Sequence, residues 1–211
     1  SSDVCSSDLD YVADLSALIK ELSQPPVLLG HSMGGLLAQL LAAKGLARAM
    51  ILLAPAPPWG MLPASENEIA AAMGLMSIGP FWGQSLNAAF EIAAENSLNC
   101  LSPARQREVF AQFVPESGQA LFESLFWMFD RGRASYVNPV MVDCPILAVA
   151  GGRDKVISPA AVHNVGQISR SGDLSGIRGY GPHAAAGRRL ARRRRGLHGL
   201  AGESREYGDL T

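Results

Sequence analysis

Residues 27–45 constrain the fold of this chain more than any other segment. The run VLL at 27–29 is wholly apolar, as in a strand that is buried on both faces of a parallel sheet. The glycine-rich turn GHSMGG follows, and LLAQLLAAKG then has the composition of a helix that ends at Gly45. A second apolar run at 47–53 completes a strand–turn–helix–strand unit. This order predicts an α/β fold with a mostly parallel sheet.

Two further segments extend this unit. Apolar residues at helical spacing predict a helix over residues 10–22, which a Pro-Pro pair ends. The sequence PILAVA at 145–150 is a third apolar run, and the Ser-Pro pair after it is typical of a helix start. We therefore expect the segments 26–30, 48–53 and 145–150 to be neighbouring parallel strands.

Residues 61–140 differ in character, because helical patterns dominate there and large apolar and aromatic side chains are frequent. The helices are expected around 65–76, 102–114 and 118–130. We predict that 61–140 is an all-helical cap, inserted into a core made of residues 10–60 and 141–184. Such a cap forms a small core of its own and roofs an apolar pocket.

The composition favours a soluble globular protein. Apolar residues make up 48% of the chain, and each apolar stretch is interrupted before the length of about 18 residues that a membrane span needs. Cys5, Cys100 and Cys144 lack the spacing of metal ligands and are too few for a disulfide scaffold. We therefore expect a cytoplasmic protein without a metal or a membrane span, while an upstream signal peptide stays open.

The first residues look foreign to the rest of the chain. Residues 1–9, SSDVCSSDL, have no apolar periodicity and resemble the translation of a sequencing-adapter oligonucleotide. We expect the natural sequence to begin near Asp10 and residues 1–9 to pack poorly. The alternative is a polar, helix-capping N-terminus.

The last residues carry an excess of positive charge. Residues 178–211 have a net charge of +5, against −6 for the rest of the chain. The segment GRRLARRRRGLHGLAG has no apolar face. If its codons are read one nucleotide forward, the translation can be an acidic amphipathic helix. We predict that 185–211 is a frameshifted tail that packs poorly. The alternative is an arginine-rich patch that binds nucleic acid or a membrane.

The turn after the first predicted strand carries the motif G-x-S-x-G at residues 30–34. A serine on so sharp a turn is strained, and we expect the small residues two before and two after it to prevent collisions. The Ser32 hydroxyl would lie at a helix N-terminus, where partial positive charge stabilises an oxyanion. We predict that Ser32 is a nucleophile and that the Met33 backbone N–H binds the oxyanion. The alternative is a glycine-rich turn without chemistry.

A serine nucleophile needs a base, and the base needs an orienting acid. Asp154 follows the third predicted strand, at the sheet edge where α/β folds place their sites. His183 lies far enough along the chain for a helix and one more strand between them, which gives the order Ser, Asp, His. We predict Asp154 as the acid and His183 as the base. The alternatives are a turn carboxylate and a loop histidine.

The other histidines are less suitable as a base. His31 adjoins the nucleophile, and its side chain points elsewhere in turns of this kind. His163 lies in the helix directly after the predicted acid, too near it in sequence to return to the serine. His198 falls in the suspect tail. His183 is therefore the base that the sequence favours.

The segments GHSMGGLLAQ and GGRDKVISP resemble the nucleophile and acid loops of the α/β-hydrolase fold family, in particular its lid-bearing carboxylesterases, lipases and lysophospholipase-like enzymes. The resemblance extends from about Asp10 to His183. It implies an eight-stranded, mostly parallel sheet, acyl-enzyme chemistry and no cofactor. The resemblance begins at the fifth strand of that family, so we expect what precedes it, including the loop with the second oxyanion donor, to be missing from this chain. We therefore expect a partial α/β-hydrolase fold with little esterase activity.

The functional prediction is a serine hydrolase that cleaves a small hydrophobic carboxylic ester and has no nucleic-acid partner. Acyl transfer, C–C bond hydrolysis and cofactor-free haloperoxidase chemistry use the same kind of site and stay open. Epoxide and haloalkane hydrolases are disfavoured, because they resemble this pattern but carry Asp in place of Ser32. An inactive fragment or a non-catalytic binding protein also stays open, and the sequence does not indicate an oligomeric state.

Overall fold

A computed structural model of the chain describes residues 6–77 and 79–168. The helices are α1 (Asp8–Lys20), α2 (Met33–Ala42), α3 (Glu66–Met76), α4 (Phe90–Asn96), α5 (Pro103–Phe110), α6 (Gly118–Leu125) and α7 (Pro159–Gly166), with 3₁₀ turns at Trp127–Phe129 and Pro139–Met141. The strands are β1 (Val27–His31), β2 (Ala49–Leu53), β3 (Ser85–Leu86), β4 (Glu116–Ser117) and β5 (Ile146–Val149). None of the helices within these residues is both long and apolar enough to cross a membrane.

The main sheet has the order β1-β2-β5, and both pairings are parallel. Leu29 is in register with Ile51, and Ile51 with Leu147. The prediction that the three apolar runs are neighbouring parallel strands is confirmed. Because the strands are parallel, their carboxyl ends lie at one edge of the sheet, and the loops at that edge can form a site.

The helices of the core pack on one face of this sheet. Met50, Leu52, Ile146 and Ala148 are buried in a single cluster with apolar residues of α1, α2 and α7. The opposite face is open within the described residues, since Leu29 is 66% exposed. The prediction that the first strand is buried on both faces is therefore wrong for this part of the chain, because α2 and α7 cover the same side.

The segment 61–140 has an aromatic core of its own. Phe81 is fully buried, and its ring lies 5.8 to 6.3 Å from those of Trp82, Phe122 and Phe126. The prediction of an all-helical segment is wrong, because β3 and β4 form a short antiparallel pair. Gly118, directly after β4, lies close to the backbone of Phe81. A Cβ at Gly118 would collide with the carbonyl oxygen of Phe81, so this close packing requires glycine. That this segment is a cap with these boundaries stays a prediction.

Residues 6–9 are better packed than the sequence suggested. Ser7 caps α1 in a reciprocal capping box with Asp10, and Asp8 is fully buried. The backbone N–H of Asp8 donates to Glu123 Oε2 at 2.7 Å, which joins α1 to α6. The expectation of poor packing is therefore wrong for residues 6–9. Residues 1–5 and the predicted tail at 185–211 lie outside the described residues.

Candidate active site

Ser32 lies on a strained turn between β1 and α2. Its backbone has φ 51° and ψ −121°, a conformation that side-chain-bearing residues rarely adopt. The turn is tight enough that a Cβ at Gly30 would collide with the carbonyl oxygen of Gly34. Such strain persists only where the surrounding structure imposes it. The sharp turn predicted from the motif is therefore present at Ser32.

The glycines after Ser32 have different roles from those expected. A Cβ added at Gly34 would meet no atom within 4 Å, so the residue two after the serine is not required to be small at its own position. A Cβ at Gly35 would lie 2.6 Å from Cβ of Pro55. The glycine that prevents a collision is thus Gly35, because the loop leaving β2 passes directly over the first turn of α2.

Backbone hydrogen bonds fix Ser32 to that same loop. Its N–H donates to the carbonyl oxygen of Leu53 at 3.1 Å, and its carbonyl oxygen accepts from the N–H of Ala56 at 2.9 Å. The same carbonyl accepts from Gly35 at 2.9 Å and Leu36 at 3.3 Å, the first turn of α2. The backbone conformation of Ser32 is therefore fixed by hydrogen bonds to β2 and the loop after it, and by hydrogen bonds to the first turn of α2.

A buried glutamine stabilises this arrangement, and the sequence analysis missed it. Gln39 is fully buried in α2, and its Nε2 donates to the carbonyl oxygens of Gly35 at 3.0 Å and Ala56 at 3.3 Å. It thus joins the first turn of α2 to the loop after β2. The available signal was a lone amide in the otherwise apolar run LLAQLLAA.

The Ser32 side chain is half-buried and makes no capping hydrogen bond to α2. A serine before the first helical residue commonly uses its hydroxyl for that purpose. Among the described residues, the Met33 backbone N–H has no acceptor, as is usual for the first N–H of a helix. A hydroxyl and a helix N-terminal donor are therefore both left available at this turn.

Asp154 follows β5 and is therefore at the same sheet edge as Ser32, with β2 between their strands. Its Oδ1 accepts from the backbone N–H groups of Val156 at 2.8 Å and Ile157 at 2.9 Å. No hydrogen bond joins Asp154 to Ser32, so a triad that contains both residues needs a base between them.

The histidines complete the account of the predicted site residues. His183, the predicted base, lies outside the described residues. His31 and His163 are both exposed. His163 lies in the last turn of α7, and its Nε2 is 3.5 Å from Nε2 of Gln167. Because α7 runs back from the carboxyl edge of the sheet, His163 lies away from Ser32. That His183 is the base stays a prediction.

Two contacts from the segment 61–140 reach the loop that carries Asp154. Asn99 Nδ2 donates to the carbonyl oxygen of Arg153 at 3.0 Å, and the N–H of Ser158 donates to Glu68 Oε1 at 2.7 Å. Neither residue was predicted from the sequence. No local pattern indicates them, because their partners are 54 and 90 positions away in the chain.

An open groove of about 680 Å³ lies elsewhere on the described structure. Its walls come from residues 58–64, from Tyr136, Val137 and Pro139, and from Asn164 and Ile168. Neither Ser32 nor Asp154 lines it. Among the described residues, no group of three or more His, Cys, Asp or Glu side chains is arranged to hold a metal ion.

Comparisons with solved structures find the same fold. A monoacylglycerol lipase from Paleococcus ferrophilus is 18% identical, with 89% of this chain and 74% of that chain covered and a TM-score of 0.55. An extracellular α/β-hydrolase from a Paenibacillus species is 17% identical, with 96% and 83% covered and a TM-score of 0.57. A hydrolase from Oleispira antarctica is 15% identical, with 86% and 67% covered and a TM-score of 0.56. No curated protein matches the chain.

Sequence comparison with protein families gives the more specific result. The model of the alpha/beta hydrolase family matches residues 1–202, which is most of the chain. The parallel sheet, the strained serine between β1 and α2, and the helices packed on the sheet agree with that match. The chain therefore belongs to the alpha/beta hydrolase family.

Proposed function

We propose that this protein is a serine hydrolase that cleaves a small hydrophobic carboxylic ester. The observation that carries the proposal is the conformation of Ser32, which is strained, fixed from two sides and without a capping role for its hydroxyl. Strain of this kind is retained at sites where it serves a function. The apolar residues of the segment 61–140 support a hydrophobic substrate, and the few cysteines support a cytoplasmic location.

The proposed reaction has two steps. Ser32 Oγ attacks the ester carbonyl carbon while His183 takes the hydroxyl proton, and the Met33 N–H donates to the oxyanion that forms. When the C–O bond breaks, the alcohol leaves with that proton and the acyl group stays on Ser32. Water then attacks the acyl-enzyme, the histidine again transfers the proton, and the carboxylic acid leaves. Asp154 orients the imidazole throughout.

The arrangement of Asp154 supports its role as the orienting acid. One carboxylate oxygen accepts from the two backbone N–H groups at 156 and 157, which fixes the side-chain direction. The other oxygen makes no hydrogen bond to the described residues and is left for a base. The carboxyl ends of the strands offer no acid after β2, where the sequence is APAPPWG.

The test is covalent labelling of the 211-residue chain with a p-nitrophenyl phosphonate, followed by peptide mapping. The expected result is one phosphonyl group on Ser32, no labelling of Ser32→Ala, and slow hydrolysis of a short-chain p-nitrophenyl ester that Ser32→Ala lacks. Equal ester turnover by the parent and Ser32→Ala would contradict the proposal. A panel of thioester, C–C and halide substrates distinguishes the other reactions that this type of site supports.

A further inference from the structure

We propose that Glu68 is a positioning residue for Asp154, and this inference rests on the proposed function. Its carboxylate joins the N-termini of two helices, α3 and α7, and so holds the acid loop to the segment 61–140. The acid loop is defined here as residues 150–158, between β5 and α7. Glu68 does not contact Ser32, and its effect would pass through the loop.

The hydrogen bonds of Glu68 divide between the two helices. Oε2 accepts from the N–H of Ala64 at 2.5 Å, just before α3, and Oε1 accepts from the N–H of Ser158 at 2.7 Å, the N-cap of α7. Helix N-termini carry partial positive charge, so one carboxylate between two of them is favourably placed for both. Glu68 is half-buried, which reduces screening of these interactions by water.

Ile157 anchors the acid loop in the core cluster, and hydrogen bonds hold the rest of the loop. Asp154 itself binds the N–H groups of Val156 and Ile157, and the next N–H, that of Ser158, is the one that Glu68 accepts. Three successive N–H groups after Asp154 are thus held by two carboxylates. At the other side of the loop, Asn99 Nδ2 donates to the carbonyl oxygen of Arg153. The loop is therefore attached to the segment 61–140 on both sides of Asp154.

The Asn99 contact is the weaker attachment. It is exposed and joins two neutral groups, whereas the Glu68 contact is partly buried and charged at one end. We therefore expect Glu68 to be the stronger of the two attachments of the loop to the segment 61–140. Because Glu68 belongs to the first turn of α3, a movement of the segment 61–140 would also move the loop that carries Asp154.

The experiment compares Glu68→Ala and Glu68→Gln with Glu66→Ala in the 211-residue chain. Glu66 is an exposed acid in the same first turn of α3, so it controls for the charge of the helix N-terminus. Two quantities are measured: amide exchange at Val156, Ile157 and Ser158, and saturable labelling of Ser32 by the phosphonate. Labelling gives a maximal rate, which reports chemistry, and a half-saturating concentration, which reports binding.

We expect Glu68→Ala to raise exchange at Ser158 and to lower the maximal labelling rate, each by about tenfold, with an unchanged half-saturating concentration. Glu68→Gln should recover part of both, because its amide oxygen still accepts from Ser158. Glu66→Ala should leave both unchanged. A merely structural role would lower thermal stability without this separation of rate from binding.

Unchanged exchange in Glu68→Ala overturns the inference, whatever Ser32 does. Raised exchange with a parental labelling rate also overturns it, because Glu68 would then be only a helix cap. If the parent chain itself is not labelled at Ser32, the proposed function fails, and the role of Glu68 as a positioning residue for catalysis falls with it. The exchange data still decide whether Glu68 holds the loop. The two failures are therefore distinguishable.

Discussion

The carbonyl oxygen of Ser32 accepts a hydrogen bond from the backbone N–H of Ala56 at 2.9 Å, so the candidate nucleophile is attached to a loop that follows a different strand. That loop is itself unusual, because Ala54 also has a positive φ of 40°. Two residues with side chains thus have rare backbone conformations at the carboxyl edge of the sheet. Hydrogen bonds of Ser32 with Leu53 and Ala56, on either side of Ala54, join the two segments.

The first prediction concerns the strain at Ser32. Glycine adopts positive φ without steric cost, whereas alanine does not. We expect Ser32→Gly to be more stable than Ser32→Ala by about 1 kcal/mol. The relief of backbone strain exceeds the cost of the greater conformational entropy that glycine has in the unfolded chain. Urea unfolding of the two variants measures the difference. Equal midpoints would show that the turn holds no strain, and both variants should fail to react with the phosphonate.

The second prediction separates the two glycines that follow Ser32. Gly35→Ala should destabilise the protein by about 3 kcal/mol, because the new methyl group overlaps Pro55. Gly34→Ala has open space and lies in a helix, so it should be neutral or stabilise by up to about 1 kcal/mol. Thermal unfolding of both variants provides the measurement. The reverse order would mean that the β2 loop does not pass over α2 as described.

The third prediction concerns Gln39. Gln39→Leu removes two hydrogen bonds, but it also removes a buried Oε1 that lacks a partner among the described residues. Because the two effects oppose each other, we expect the free energy of unfolding to fall by only about 1 kcal/mol. Gln39→Glu places a carboxyl group beside two carbonyl oxygens and should cost about 3 kcal/mol at neutral pH. Urea unfolding at pH 7 compares the variants. A Leu variant less stable than the Glu variant would contradict this account.

The fourth prediction is a pH dependence caused by Asp8. Burial, followed by the charges of Glu123, Asp130 and Glu116, raises the pKa of Asp8 from 3.8 to about 7. A carboxyl with a raised pKa in the folded state binds a proton there that the unfolded state has released. The contribution of Asp8 to the free energy of unfolding is therefore fully present below pH 3.8 and is lost as the pH rises from 3.8 to about 7.

The size of this loss is at most about 4 kcal/mol. Asp8→Asn should lack it, so the free energy of unfolding of the variant should fall less than that of the parent between pH 4 and 7. Burial also raises the pKa of Glu123, which gives a change of the same sign. Because the charges of Asp8 and Glu123 interact, the difference between parent and variant includes the loss of that interaction. Parallel pH profiles for parent and variant would show that Asp8 is not buried.

The sequence predicted those parts of the fold that depend on local patterns. Apolar runs of strand length located β1, β2 and β5 to within one or two residues, because each run is bounded by Pro, Gly or a helix start. The motif at 30–34 predicted the strained serine for a related reason, since the turn is determined by residues adjacent to it. The helix starts at Ser65, Ser102 and Ser158 follow from capping side chains a few positions away.

The sequence was less informative about residues whose partners are distant. Gln39, Glu68 and Asn99 have no local signature beyond their residue type, and the open face of β1 depends on which side α2 and α7 cover. Residues 6–9 gave the clearest error: a polar segment without periodicity is capped by its own side chains and held by Glu123 and Ser117, more than 100 positions away.

By itself, therefore, the sequence determined the strands, the helix starts and the turn that carries Ser32, because hydrogen bonds and steric contacts within about five positions decide them. Only the tertiary structure decided which glycine makes room for Pro55, that Gln39 joins α2 to the β2 loop, and that Glu68 reaches Ser158. These contacts join segments that are distant in the chain and adjacent only in the folded structure, so their free energy depends on topology and not on neighbouring residues.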